Sequence, residues 1–173
     1  DDFISMISYP ISFFDFETFS EPIPRFKNQK PNERIPFQYS LHIQNGPNEN
    51  VNSSENHFKF LGDFEHDPRL DIARSMIKNI PKKGSIITYY QPFEKGVIED
   101  LSRFCPDQSK ELLEMNNRII DLMIPFSKGG YYHPEFEGSF SIKKVLPALC
   151  KDNDELNYKN LNISNEGMAS SAF

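Results

Sequence analysis

The chain has 173 residues, of which 38% are hydrophobic and 25% charged, and its formal net charge is −6. That acidity argues against a general electrostatic nucleic-acid binder or a membrane-surface protein, although an acidic metal site and a small basic patch can coexist with it. The length suits one domain with a proper core, for which 16 Phe and 7 Tyr supply bulky material. Cys105 and Cys150 are far apart and lack CxxC spacing, which points away from a zinc site or disulfide framework and toward a reducing cytoplasm. No apolar run approaches the ~18 residues of a membrane span, and no charged-then-apolar leader opens the chain, so no membrane partner is expected. The start at Asp1 and the end at Phe173, inside a helix-like stretch, suggest that 1–173 is a single domain cut from a longer multidomain chain whose other domains are its neighbours.

In chain order, a lead-in over Asp1–Pro10 precedes an aromatic-rich strand at Ile11–Glu17. Pro22, Pro24 and Pro31 mark a loop. Ile35, Phe37, Tyr39, Leu41 and Ile43 then alternate with polar residues, as a half-buried strand does. The Asn-rich stretch Asn45–Glu55 reads as a hairpin loop and His57–Phe64 as a third strand. Asp67 and Pro68 open a helix with an apolar stripe of Leu70, Ala73, Ile77 and Ile80. Ser85–Tyr90 is apolar without alternation, which fits a buried parallel strand. Pro92 begins a second helix through Phe104, and Pro106–Ile120 reads as a third. After the Gly129-Gly130 loop, Ser141–Leu149 reads as a short packing helix, Asp152–Asn162 as a polar loop and Gly167–Phe173 as the beginning of a last helix. Three sequential strands make an antiparallel meander, and a helical crossover then places the fourth strand parallel to the first. This is the outline of an α/β, ribonuclease-H-like fold: a mixed five-stranded sheet of order 3-2-1-4-5 flanked by helices.

Within the first strand, Asp15 and Glu17 alternate with Phe14 and Phe16. The two carboxylates therefore share one face, about 7 Å apart, while the rings point into the core. Neighbouring acids repel each other and call for a cation or a shared proton, so a divalent-metal site is one reading. The other is a half-exposed strand whose acids face water. Glu94 sits where the fourth strand runs into a helix, and with strands one and four adjacent it can approach Asp15 and Glu17. Three converging carboxylates suit two divalent ions about 3.5–4 Å apart, although an acid in a first helical turn is also favoured by the helix dipole alone. Asp121, after Ile119 and Ile120, could ligate a metal or cap the next turn. His133 follows the flexible Gly-Gly loop and is the candidate general base, unless it packs on the neighbouring tyrosines. Lys95, Lys128, Lys143 and Lys144, with Arg25 and Lys27, are candidate phosphate contacts. Tyr131, Tyr132 and Phe140 could stack on the bases of a single strand.

The run Phe-Asp-Phe-Glu-Thr-Phe at 14–19 resembles the Asp-x-Glu first motif of the DEDD-type 3′–5′ exonucleases. Tyr90–Glu94 looks like their second motif, and Asp121-Leu122 resembles a step that follows it. More closely, the segments FFDFETF, IPFQYSLHI, FEKG, DLMIPF, YYHPEF, GSFSIKKVLPAL and ISNEGMAS are similar to an uncharacterised bacterial family, domain of unknown function 2779, over about Phe13 to Phe173. The resemblance implies a ribonuclease-H-like fold and an exonuclease-type activity. With it come Mg²⁺ or Mn²⁺ as cofactor and DNA or RNA as substrate, bound by a single-stranded 3′ end. It also exposes a departure: the last Asp of those enzymes, four or five residues after a His or Tyr, has no match in Ile163–Ala169, where Glu166 is the carboxylate at hand. Either Glu166 or Asp121 completes the metal set, or the domain is a catalytically degenerate module that binds nucleic acid or a partner protein.

Overall fold

The computed structural model describes residues 2–51, 53–63 and 65–151. The elements are α1 (Asp2–Ser5), β1 (Ile11–Phe19), β2 (Ile35–Gln44), β3 (His57–Leu61), α2 (Arg69–Asn79), β4 (Ile86–Thr88), α3 (Gln91–Phe104), α4 (Ser109–Asn116), β5 (Ile119–Asp121), α5 (Ile124–Ser127) and α6 (Ile142–Leu149). Short 3-10 turns at Pro106–Gln108 and Pro134–Phe136 complete them. The chain divides into two compact units, Asp1–Ile120 and Asp121–Phe173.

The first unit is built on a five-stranded open sheet of order β3-β2-β1-β4-β5. β1 pairs antiparallel with β2, and β2 antiparallel with β3, while β1 pairs parallel with β4 through Ser12↔Ile86 and Phe13↔Ile87. The sheet is therefore mixed, in the order and with the parallel β1–β4 neighbourhood expected from the crossover. Directly opposed residues on paired strands share a face. Phe14↔Leu41 and Phe16↔Tyr39 lie on the core face, whereas Phe13↔His42, Asp15↔Ser40 and Glu17↔Gln38 lie on the other. The core face packs against Ile72 and Met76 of α2, Val97 and Leu101 of α3, and Leu112 of α4, all in one buried cluster.

Two sequence expectations are corrected in this unit. The α2 stripe is wider and differs at its start: Ala73 and Ile80 are buried and Ile77 packs on the core as expected, Ile72 and Met76 join them, and Arg69 is buried where Leu70 is exposed. Arg69 can replace Leu70 inside because Asp67 and Glu33 pair with its guanidinium. The helix read over Pro106–Ile120 is a 3-10 turn followed by α4, which ends at Asn116, and Ile119–Asp121 is the edge strand β5. The Ile86 amide donates to the Arg118 carbonyl at 3.0 Å, so the sheet supplies hydrogen bonds that a continued helix would have made internally.

In the second unit, Phe136, Val145 and Ala148 form a small core with Phe126 packed against it. Ser141 caps α6, its Oγ accepting from the Lys143 amide. The Glu166 assignment, the Asp152–Asn162 loop and the terminal helix lie outside the described residues. Among the described residues no helix is long and apolar enough to cross a membrane.

Candidate metal centre

Strand alternation places Asp15 exposed and Glu17 half-buried on the sheet face away from the helical core, alternating with the buried rings of Phe14 and Phe16. The β1–β2 register shifts between Glu17 and Thr18, where Phe37 of β2 is the extra residue, so the irregularity lies on the strand opposite the second acid. Because β1 and β4 are parallel, their carboxyl ends lie at the same edge of the sheet. Tyr89 and Tyr90 link β4 to α3 there, and Glu94 stands in the first turn of that helix. Glu94 is 2% exposed. A carboxylate withdrawn so far from water needs positive charge or donors around it. The α3 N-terminus provides part of that, and a cation would provide more.

Asp121 ends β5, is buried, and accepts a hydrogen bond from the Met123 amide at 2.9 Å, so it caps the turn into α5. His133 lies in the second unit, where its Nδ1 accepts from the Glu135 amide at 3.2 Å and its ring packs on Phe136. The cap weighed for Asp121 is thus present, while the His133 ring meets Phe136 and not the neighbouring tyrosines on which it was expected to pack. Lys95 is half-buried on α3, and its carbonyl accepts from the Asn116 side chain at 3.1 Å. Lys128 is exposed after α5; Lys143 and Lys144 are exposed on α6, where Lys144 pairs with Glu137. Tyr131 and Tyr132 are exposed, with both rings resting on the fully buried Phe136.

Sequence reasoning passed over a second acidic group. Asp63, Glu65 and His66, all exposed, bring ligand atoms within 4.8 Å of one another, the one such trio among the described residues. Their own turn accounts for much of this proximity. Asp63 accepts from the Glu65 amide at 2.9 Å, with the His66 Nδ1 3.1 Å from its other oxygen. The amide bond, foremost, holds the Asp63 carboxyl below its ordinary range.

Asp15, Glu17 and Glu94 offer oxygen donors alone, a set suited to a hard divalent cation such as Mg²⁺ or Mn²⁺ and unsuited to softer ions. Fold and site together define an open mixed α/β sheet with acids at the carboxyl end of its parallel strand pair, the end at which open α/β sheets bind ligands. A family model described as Domain of unknown function (DUF2779) matches residues 12–141, and the chain belongs to that family. No curated protein matches the chain significantly.

Proposed function

We propose that this is a ribonuclease-H-like domain acting as a metal-dependent 3′–5′ exonuclease on DNA or RNA. The observation that carries the reading is the placement of Asp15 and Glu17 on β1 and Glu94 on α3 at one end of adjacent parallel strands. Asp15, Glu17 and Glu94 would hold the divalent ions, with Asp121 and Glu166 as further candidate ligands. A bound divalent pair supplies an activated water and charge stabilisation at the leaving oxygen of a phosphodiester. The chain's own part is to fix the acids. Strand pairing orients Asp15 and Glu17, and the first turn of α3, in which Glu94 is the buried residue, holds Glu94 in place. His133 is the candidate proton acceptor. Lys95, Lys128, Lys143 and Lys144 would contact phosphates, and Tyr131 and Tyr132 would meet bases of a single-stranded 3′ end.

A second reading, a degenerate module that binds nucleic acid or a partner protein without cleaving, is favoured by one observation. The β1 and α3 acids are not among the described groups whose ligand atoms gather within 4.8 Å. Thermal unfolding with and without millimolar Mn²⁺ separates the two. A ligand that binds only the folded state stabilises it, so the exonuclease reading expects a rise of about 5 °C in the wild type and none in Asp15→Ala. No rise in either protein, together with no release of nucleotides from a labelled oligonucleotide, would leave the binding module as the better account.

A further inference from the structure

The strand registers set nine side chains in three crosswise rows on the sheet face away from the helical core. Phe13, His42 and His57 oppose one another across β1, β2 and β3. Asp15, Ser40 and Lys59 form the next row, and Glu17, Gln38 and Leu61 the last. All nine are exposed or half-buried, whereas Phe14, Phe16, Tyr39 and Leu41 on the core face are buried. Successive rows lie about 7 Å apart along a strand, and neighbouring strands about 4.8 Å apart. The face carries rings at one end and acids further along. Phe13, on the middle strand of the five, is 37% exposed, and the imidazoles of His42 and His57 stack 4.0 Å apart in its row. Exposed Lys59 stands one row on; after desolvation, it and His42 depress the protonation of His57, as facing positive charges do. That corner favours an anion. A protein partner suits the face poorly, because Phe13 and Leu61 occupy opposite corners with charged and amide groups between them. They make no contiguous apolar patch of the kind a stable interface buries. Rings beside cations on an open sheet suit a flexible polyanion with flat bases.

We infer that this face is a track for single-stranded nucleic acid upstream of the reacting end, with bases stacking on Phe13 and the His42–His57 pair and a phosphate at Lys59. The identity of the substrate rests on the nuclease reading above. From Phe13 the strand reaches Asp15 and then Glu17 by stepping one row at a time along β1. An aromatic face stacks on any base, so the track holds the strand without reading its sequence. Without a divalent ion the two acids repel phosphate, and the rings and Lys59 carry the binding.

The test measures binding with the chemistry switched off. A 5′-fluorescein-labelled single-stranded oligothymidylate is titrated in EDTA at several salt concentrations against wild type, Phe13→Thr, Phe13→Tyr and Lys59→Gln. Leu113→Ala, exposed on α4, serves as the control, and each unfolding temperature is recorded. Phe13→Thr is expected to bind about tenfold more weakly, with its unfolding temperature within a few degrees of wild type. Phe13→Tyr is expected to bind as wild type does, because the ring is kept. Lys59→Gln is expected to weaken binding and to reduce the slope of log affinity against log salt by about 0.7, the loss of one phosphate contact. Unchanged binding by Phe13→Thr overturns the inference, as does an equal loss in Leu113→Ala. So does a fall of many degrees in the unfolding temperature of Phe13→Thr, which would make the ring a packing element. A wild-type dimer that Phe13→Thr dissociates would give the face to a second copy and overturn it too. A wild type that gains stability from Mn²⁺ yet binds no oligonucleotide sinks the track and leaves the metal site standing. Phe13-dependent binding without any metal response keeps the track and sinks the exonuclease reading.

Discussion

His42 and His57 lie opposite one another on β2 and β3 with imidazole centroids 4.0 Å apart and ring planes 9° from parallel. His42 Nδ1 is 3.1 Å from the Val51 carbonyl, and His57 Nε2 is 3.3 Å from the Ser40 hydroxyl. Partial desolvation, then the nearby His42 and Lys59, depress His57 below its ordinary value. Between that lowered value and the unfolded-chain value near 6.5, the unfolded chain binds more protons, so stability falls as pH drops through that window. The urea midpoint should therefore be lower at pH 5.5 than at pH 7.5, and His42→Gln should shrink the difference. An unchanged difference in that variant would assign the pH dependence to other groups. The effect should be small, because His57 is largely exposed.

Arg69 is 3% exposed, and its guanidinium reaches Asp67 at 2.6 Å and Glu33 at 3.0 Å while lying 3.7 Å from the Phe104 ring centroid. Removing it strands two acids and uncovers an aromatic face. Arg69→Ala should cost about 3 kcal/mol in urea unfolding. Arg69→Lys should recover less than half of that, because an ammonium cannot make the planar fork or stack as a guanidinium does.

Gly84 has φ 81°, and a Cβ there would sit 1.9 Å from the Pro10 carbonyl oxygen. Gly84→Ala should cost at least about 2 kcal/mol, combining left-handed strain with overpacking against backbone that cannot yield. Gly129 offers the matched control, with φ 77° and nothing within 4 Å of the added carbon. Its alanine variant should cost about 1 kcal/mol. Equal losses in chemical denaturation would show that contact with Pro10 adds nothing.

Glu94→Gln keeps the size and buried position of the side chain and removes its charge. In EDTA its unfolding temperature should stay within a few degrees of wild type. The Mn²⁺-dependent rise should vanish, and any nucleotide release should fall about 100-fold or more, as expected for loss of a metal-holding group. A variant that still responds fully to Mn²⁺ would remove Glu94 from the metal set.

Much of the first unit is legible along the chain. The alternation over Ile35–Ile43 corresponds to β2, and the Phe14–Glu17 alternation sorts rings inward and acids outward as the structure does. The helix start expected at Asp67-Pro68 falls one residue later, with Pro68 at the N-cap position and the Asp67 Oδ1 accepting from the Arg69 amide at 3.1 Å. What escaped has physical causes. A charged residue reads as exposed until its partners are known, so Arg69 was passed over in favour of Leu70. β5 is three residues long and follows a helix directly, too short for any period to declare itself. Tyr90, at the start of α3, carries no signal of its left-handed backbone (φ 71°), because tyrosine is not a residue that favours it.

The sequence by itself determined which side chains of β1 and β2 share a face, because that depends on a two-residue period set by covalent geometry. It also determined the likeness to the family to which the chain belongs. The tertiary structure decided which strands are neighbours and which charges go inside. Glu94 comes to the same end of the sheet as Asp15 and Glu17 through the parallel pairing of β1 with β4, and Arg69 is buried because Glu33 and Asp67 meet it there. Pairings of this kind join segments far apart in the chain, and their free energy exists only once the sheet and helices have packed.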